Sequence, residues 1–224
     1  MFFDSSIIVL IPALLLAFYA QFKVKRTYRK FSEIRNASGM TGYQTALQIL
    51  RRNGLDDVAV EEVPGMLSDH YDPRDRTVRL SSDNFHSTSI AALSVAAHEV
   101  GHAIQHKVGY GPLQLRHSIL PVTNLTSSLA FPLFFIGLIF QAYSLMTLGI
   151  IFFGAVLAFH LVTLPVEFNA SSRALRILED EGMLSRQEVG GARKVLNAAA
   201  LTYVGATAMA ASQLLQMLIL RGEE

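Results

Sequence analysis

Two histidines four residues apart, with a glutamate directly after the first, stand in the run His98, Glu99, Val100, Gly101, His102. Residues four apart lie on one face of a helix, one turn above the other. Two imidazoles so placed bind one metal ion, and the intervening carboxylate reaches the water beside it. Zinc in such a site brings the pKa of its water towards ~7 and polarises a scissile carbonyl. Glu99 then takes the proton and returns it to the departing amine, which is peptide hydrolysis without a covalent intermediate. The run is set among apolar residues, Ala97 before it and Ala103 and Ile104 after it. A glutamate and two histidines buried there are costly without a metal or partners. Gly101 inside a helix costs roughly 1 kcal/mol against alanine, which points to something approaching the backbone closely at that position.

A catalytic zinc site takes three protein ligands and keeps one position open. The chain has no cysteine, which excludes disulfides and thiolate ligands and leaves nitrogen and oxygen donors. His106 is the nearest candidate, but two helical turns put it about 12 Å along the axis from His98, and it reads as a helix-end residue. Glu167, in the run Leu164, Pro165, Val166, Glu167, Phe168, Asn169, is the better ligand. Pro165 can begin or kink the helix that presents it. The competing reading of Glu167 is a solvated carboxylate or one paired with Arg173. Glu179, Asp180 and Glu181, ahead of Gly182, read as a solvated helix end. Two histidines and a carboxylate in an open site favour one zinc ion per chain.

Four stretches nearly free of charge surround these residues: 6–21, 119–140, 145–164 and 198–220. A helix needs about 20 apolar residues to cross a hydrocarbon core of ~30 Å. Lys23, Lys25, Arg26, Arg29 and Lys30 follow the first stretch and hold that end on the cytoplasmic side. A cleaved signal peptide is the rival reading of the first stretch, but it carries its basic residues before the apolar run. The expected fold is predominantly α, a membrane protein of about four transmembrane helices with a small α+β, zincin-like cytoplasmic domain around the HExxH helix. The expected boundaries are a first span over 1–22, a metallopeptidase region over 23–118, a helical hairpin over 119–164, a cytoplasmic segment with the third ligand over 165–197, and a last span over 198–224. A net charge of +1 argues against a nucleic-acid partner.

Within the polar region, Thr41 and Gln44 form a capping-box pattern ahead of a helix that ends near Asn53 and Gly54. Residues 58–63 alternate as a strand, and residues 72–75 carry turn chemistry before an extended candidate over 77–80. Ser87, Thr88 and Ser89 offer N-caps for the HExxH helix, and Gly109 is its natural stop. Thr77, Val78, Arg79 and Leu80 could form an edge strand that a peptide substrate extends, with a core or rim strand equally open. His160, inside the third apolar stretch, is a supporting or proton-path candidate, or a packing residue. Tyr71, His160, Arg173, Arg176 and Tyr203 all stand open for the oxyanion role.

On these motifs the chain resembles the YugP-like neutral zinc metallopeptidase family of bacterial membranes. The likeness is carried by the N-terminal span, by His70, Tyr71, Asp72 and Pro73, by residues 97–106, and by Pro165, Val166, Glu167 and Phe168. It implies zinc, peptidase activity, His98, His102 and Glu167 as ligands, and Glu99 as base. The layout is also similar to the HtpX-like group, in which a glutamate on a later helix completes the site. Such families lead one to expect an acidic residue just beyond the ligand glutamate, where this chain has Asn169. An asparagine accepts a hydrogen bond from an imidazole but raises its basicity less, so weaker metal binding or activity is the expectation. The resulting picture is an endopeptidase in the cell membrane, multi-pass, with its site on the cytoplasmic side, acting on membrane or membrane-proximal proteins. The alternative is a non-catalytic zinc-binding scaffold or adaptor, against which Glu99 argues. Cleavage within the bilayer fits less well, because a polar segment precedes the HExxH helix. Transport through a His160-lined path lacks the paired broken segments it needs.

Overall fold

The structure, a computed structural model, describes residues 5–222. A short 3-10 turn, Ser5–Leu10, leads into α1 (Ile11–Ser32), followed by α2 (Gly42–Arg52), β1 (Ala59–Val63), β2 (His70–Asp72), β3 (Thr77–Ser81), α3 (Ser82–His86) and α4 (Ile90–Lys107). Three long helices complete the chain: α5 (Gly111–Ile139), α6 (Tyr143–Asp180) and α7 (Arg186–Gly222). Two compact units result. One holds the residues up to 21, 111–165 and those from 201; the other holds 22–110 and 166–200.

The first unit is helical and apolar. Four helices in the chain, Ser6–Ser32, Gly111–Ile139, Tyr143–Asp180 and Arg186–Gly222, are long and apolar enough to cross a membrane. Leu15, Phe18, Ile139 and Ile151 stand exposed on them, which suits hydrocarbon and is unfavourable in water. The small interior of this unit gathers Phe134, Met146, Phe153, Ala210 and Met217. This is the multi-pass helical protein that the apolar stretches predict. Pro165 does not begin a new helix, since α6 runs through it. A proline removes one backbone hydrogen bond, and a helix of 38 residues continues past that loss.

In the second unit, the Thr41 hydroxyl accepts from the Gln44 amide while the Gln44 side chain accepts from the Thr41 amide, so α2 starts with the expected capping box. The three strands form one sheet in the order β1-β3-β2, with β1 parallel and β2 antiparallel to β3. This corrects one expectation. Thr77, Val78, Arg79 and Leu80 are not an edge strand: β3 is the middle strand, hydrogen-bonded on both sides, and has no free backbone row for a peptide to extend. Apolar Val78 and Leu80 are fully buried, as a central strand over a core requires. Ser89 caps α4 by accepting from the Ala92 amide, and Gly109 in the left-handed region (φ 62°) turns the chain beyond it. Ile49, Leu50, Leu55, Leu93, Val100 and Leu178 pack with the sheet into one core, so α4 is buried along most of its length.

Candidate metal centre

Because α4 is buried around them, His98 and His102 point their rings into the interior one turn apart, with centroids 4.8 Å apart and planes nearly perpendicular. Glu167 arrives from α6 and is 3% exposed. Its Oε2 lies 3.2 Å from Nε2 of His98 and 3.6 Å from Nε2 of His102. One donor atom from each of these residues falls within 4.8 Å of the others, the one such His/Asp/Glu cluster found among the described residues. Tetrahedral zinc with bonds near 2.0–2.1 Å separates its donors by roughly 3.3 Å, and the two measured distances fall on either side of that value. The donor set therefore fits zinc.

The far nitrogens of the two imidazoles are held differently. Nδ1 of His102 faces Oε1 of Gln105 at 3.0 Å. The amide of Gln105 is oriented by what its nitrogen meets: Nε2 donates to the Val166 carbonyl at 2.8 Å and to Oδ1 of Asn169 at 3.0 Å. A carbonyl can only accept, so the NH2 end faces α6 and the oxygen faces His102. Nδ1 of His102 is then the donor, so the neutral ring favours the tautomer whose Nε2 lone pair can meet a cation. Oδ1 of Asn169 also accepts from Nε of Arg173 at 2.7 Å. His98 is held more loosely, its Nδ1 lying 3.2 Å from the hydroxyl of Ser171. A hydroxyl donates or accepts equally well.

Glu99 sits between the two histidines in sequence and is 9% exposed. Burial pushes its carboxyl above the usual carboxylate range, against the pull of His98 and His102. It is not part of the converging donor set. Gly101 is explained by α6: a Cβ there would stand 2.9 Å from the Ala170 carbonyl oxygen. The missing side chain lets the two helices approach closely enough for Glu167 to reach the histidines.

The other sequence candidates fall as follows. His106 turns away from the cluster, its Nδ1 2.8 Å from the Tyr71 hydroxyl, and ties the last turn of α4 to β2. Asn169 touches no imidazole directly; it acts on His102 through Gln105. His160 and Tyr203 belong to the other unit. Glu181, beyond α6, pairs with Arg52 at 3.3 Å. Sequence reasoning missed Gln105 and Ser171. Their signal was spacing, since Gln105 lies three residues after His102 and Ser171 four after Glu167, each on the face of its helix that carries a candidate ligand.

A family model described as "Putative neutral zinc metallopeptidase" matches residues 6–222. The chain is 51% identical over 220 residues to the Bacillus subtilis (strain 168) protein named "Putative membrane protease YugP", covering 97% of this chain and 98% of that one. No solved structure matches it.

Proposed function

The chain belongs to the family described as "Putative neutral zinc metallopeptidase", and from that membership we propose a membrane-anchored zinc endopeptidase that hydrolyses peptide bonds of membrane or membrane-proximal proteins. The observation that carries the reading is the convergence of Nε2 of His98, Nε2 of His102 and Oε2 of Glu167, with the far nitrogens of both rings held by other partners. These three residues would hold the ion, in the ligand pattern of the gluzincins. When bound, zinc polarises the scissile carbonyl and makes water nucleophilic near neutral pH.

The protein's own groups do the rest. Gln105 accepts from Nδ1 of His102, so of the two neutral tautomers of the ring it favours the one whose Nε2 lone pair can bind metal. The Glu99 carboxylate takes a proton from the attacking water and delivers it to the departing amine nitrogen. Its burial favours holding that proton, since the neutral form is the one a dry site prefers. Glu167 follows the apolar run 145–164 by only a few residues, and basic residues flank the adjoining segments at 23–30 and 173–194. That charge pattern supports a site on the cytoplasmic side of the cell membrane.

The test compares the wild type with Glu99→Gln in detergent, measuring bound zinc and cleavage of an unstructured reporter together. The expected outcome is zinc retained and cleavage lost by on the order of a hundredfold or more. A variant that cleaves as well as the wild type would overturn the role of Glu99. A wild type that holds zinc and cleaves nothing would favour the scaffold reading.

A further inference from the structure

Where α1 leaves the apolar run 6–21 it enters a groove of about 740 Å³ that is separate from the metal centre. One wall is the basic end of the helix, with Lys25, Arg26, Arg29 and Lys30. The facing wall is the turn joining β1 to β2, with Met66 and Leu67 at its tip. We propose that this groove seats the head group of an anionic glycerophospholipid from the surrounding bilayer.

Charge is the first argument. The four basic side chains are exposed, and among the described residues none has a carboxylate within 4.0 Å. They outnumber the two carboxylates of the groove, Glu33 and Asp83. A phosphodiester supplies the missing acceptor oxygens, and Arg and Lys beside a membrane attract anionic lipid.

The apolar part is the second. Met66 is 65% and Phe22 63% exposed, on opposite walls of the same groove. Leu67 is held in the left-handed region (φ 57°), which a branched side chain rarely adopts. The Ser68 hydroxyl bonds the Pro64 and Gly65 carbonyls and fixes the turn in that shape. Phe22, which lines the groove, directly follows the apolar run 6–21. An apolar tip beside a cationic row matches a molecule that is acyl chain at one end and phosphate at the other.

The groove is also built in advance. The Tyr28 hydroxyl donates to Oδ1 of Asn84 at 2.9 Å, and Nδ2 of Asn84 donates to Asp69 at 2.9 Å. Asp69 also accepts from the Ser81 amide at 2.8 Å. This chain of bonds ties the foot of the turn to α1, so a ligand need not order the walls first.

The full-length protein in detergent, titrated with phosphatidylglycerol or with phosphatidylcholine of the same acyl chains and read by native mass spectrometry, tests the proposal. Phosphatidylglycerol is expected to bind at least tenfold more tightly. Replacing Lys25, Arg26 and Arg29 together by Gln is expected to weaken it on the order of a hundredfold, at roughly fivefold per charge. Because such a change can alter insertion, Met66→Glu provides a second arm: it keeps the basic row, adds a carboxylate at the tip, and is expected to weaken binding about fivefold. Equal binding of the two lipids, or an undiminished phosphatidylglycerol preference in the Met66→Glu protein, would overturn the site. Neither readout involves cleavage, so the proposed peptidase activity stands or falls separately.

Discussion

The carbonyl oxygen of Ala170 occupies the space beside Gly101 where any other residue would place its first side-chain carbon, 2.9 Å from that position. Both partners of this contact adjoin residues of the candidate site, Gly101 next to His102 and Ala170 next to Asn169. The distance between α4 and α6 is therefore set at the level of His98, His102 and Glu167. Gly101→Val is expected to push the helices apart, cost about 1–3 kcal/mol of stability, and weaken zinc binding. Competition with a chromophoric chelator, beside a melting curve, would check this. Unchanged zinc affinity would mean that the helices can separate without moving Glu167.

Gln105→Leu removes the acceptor that keeps His102 protonated on Nδ1 and leaves the imidazole free to turn. A loss of about 10–100-fold in zinc affinity is expected, with the backbone fold retained. Cobalt substitution offers a direct view, because the visible spectrum of bound Co2+ reports the geometry of the ligands. A Leu variant with wild-type affinity and spectrum would remove Gln105 from the account.

Asn169 separates two expectations. If its lack of charge weakens the centre directly, Asn169→Asp should tighten metal binding substantially. The geometry expects a small effect instead, within about threefold, because either side chain accepts from both Gln105 and Arg173 and neither touches a histidine. Asn169→Leu, which leaves both donors without that acceptor, is expected to be the damaging change. Zinc titration of the two variants in parallel decides between them.

Zinc bound to the folded state stabilises it in proportion to the logarithm of its concentration, by about 2.7 kcal/mol at a hundred times the dissociation constant. Chelation is therefore expected to lower the melting temperature, and added zinc to restore it. Glu167→Ala should melt at one temperature with or without chelator. Equal sensitivity of the variant and the wild type would place the ion elsewhere.

The β2–β3 turn supplies a pH dependence. Hydrogen bonds from the Arg74 guanidinium and backbone amide hold the Asp72 carboxyl well below the usual carboxylate range. A group lowered in this way contributes stability that is complete above its unfolded pKa of about 3.9 and lost as pH falls through the folded value. Asp72→Asn is thus expected to melt below the wild type at pH 6, and the gap should begin to narrow below about pH 4 and shrink steadily as the pH falls further. A gap that widens in acid would reverse the sign of this argument.

Local signals in the sequence were reliable. Thr41 and Gln44 announced the start of α2, Ser89 and Gly109 bracketed α4, and the apolar runs marked the long helices. Each depends on residues within a turn or two of each other. The role of β3 was not legible, because an extended segment looks the same at an edge as in the middle until its neighbours are known, and β1 and β2 reach it from separate stretches. Glu167 could be singled out from its place after an apolar run, and the structure brings it beside His98 and His102. Gln105 could not, since its partners on α6 are more than sixty residues away. Asn169 was noticed for the charge it lacks, whereas its place in the structure depends on an amide that no local pattern pointed to.

The two imidazoles of the centre are supported by unlike groups, and this sets how the centre adapts. The amide beside His102 is pinned at both ends and cannot turn without breaking bonds to α6. The hydroxyl beside His98 swivels about a single bond and serves either protonation state of the ring. One candidate ligand is thus preset and the other adjustable. Ions of different radius or preferred coordination number would be accommodated by movement of His98, with His102 as the fixed point of reference.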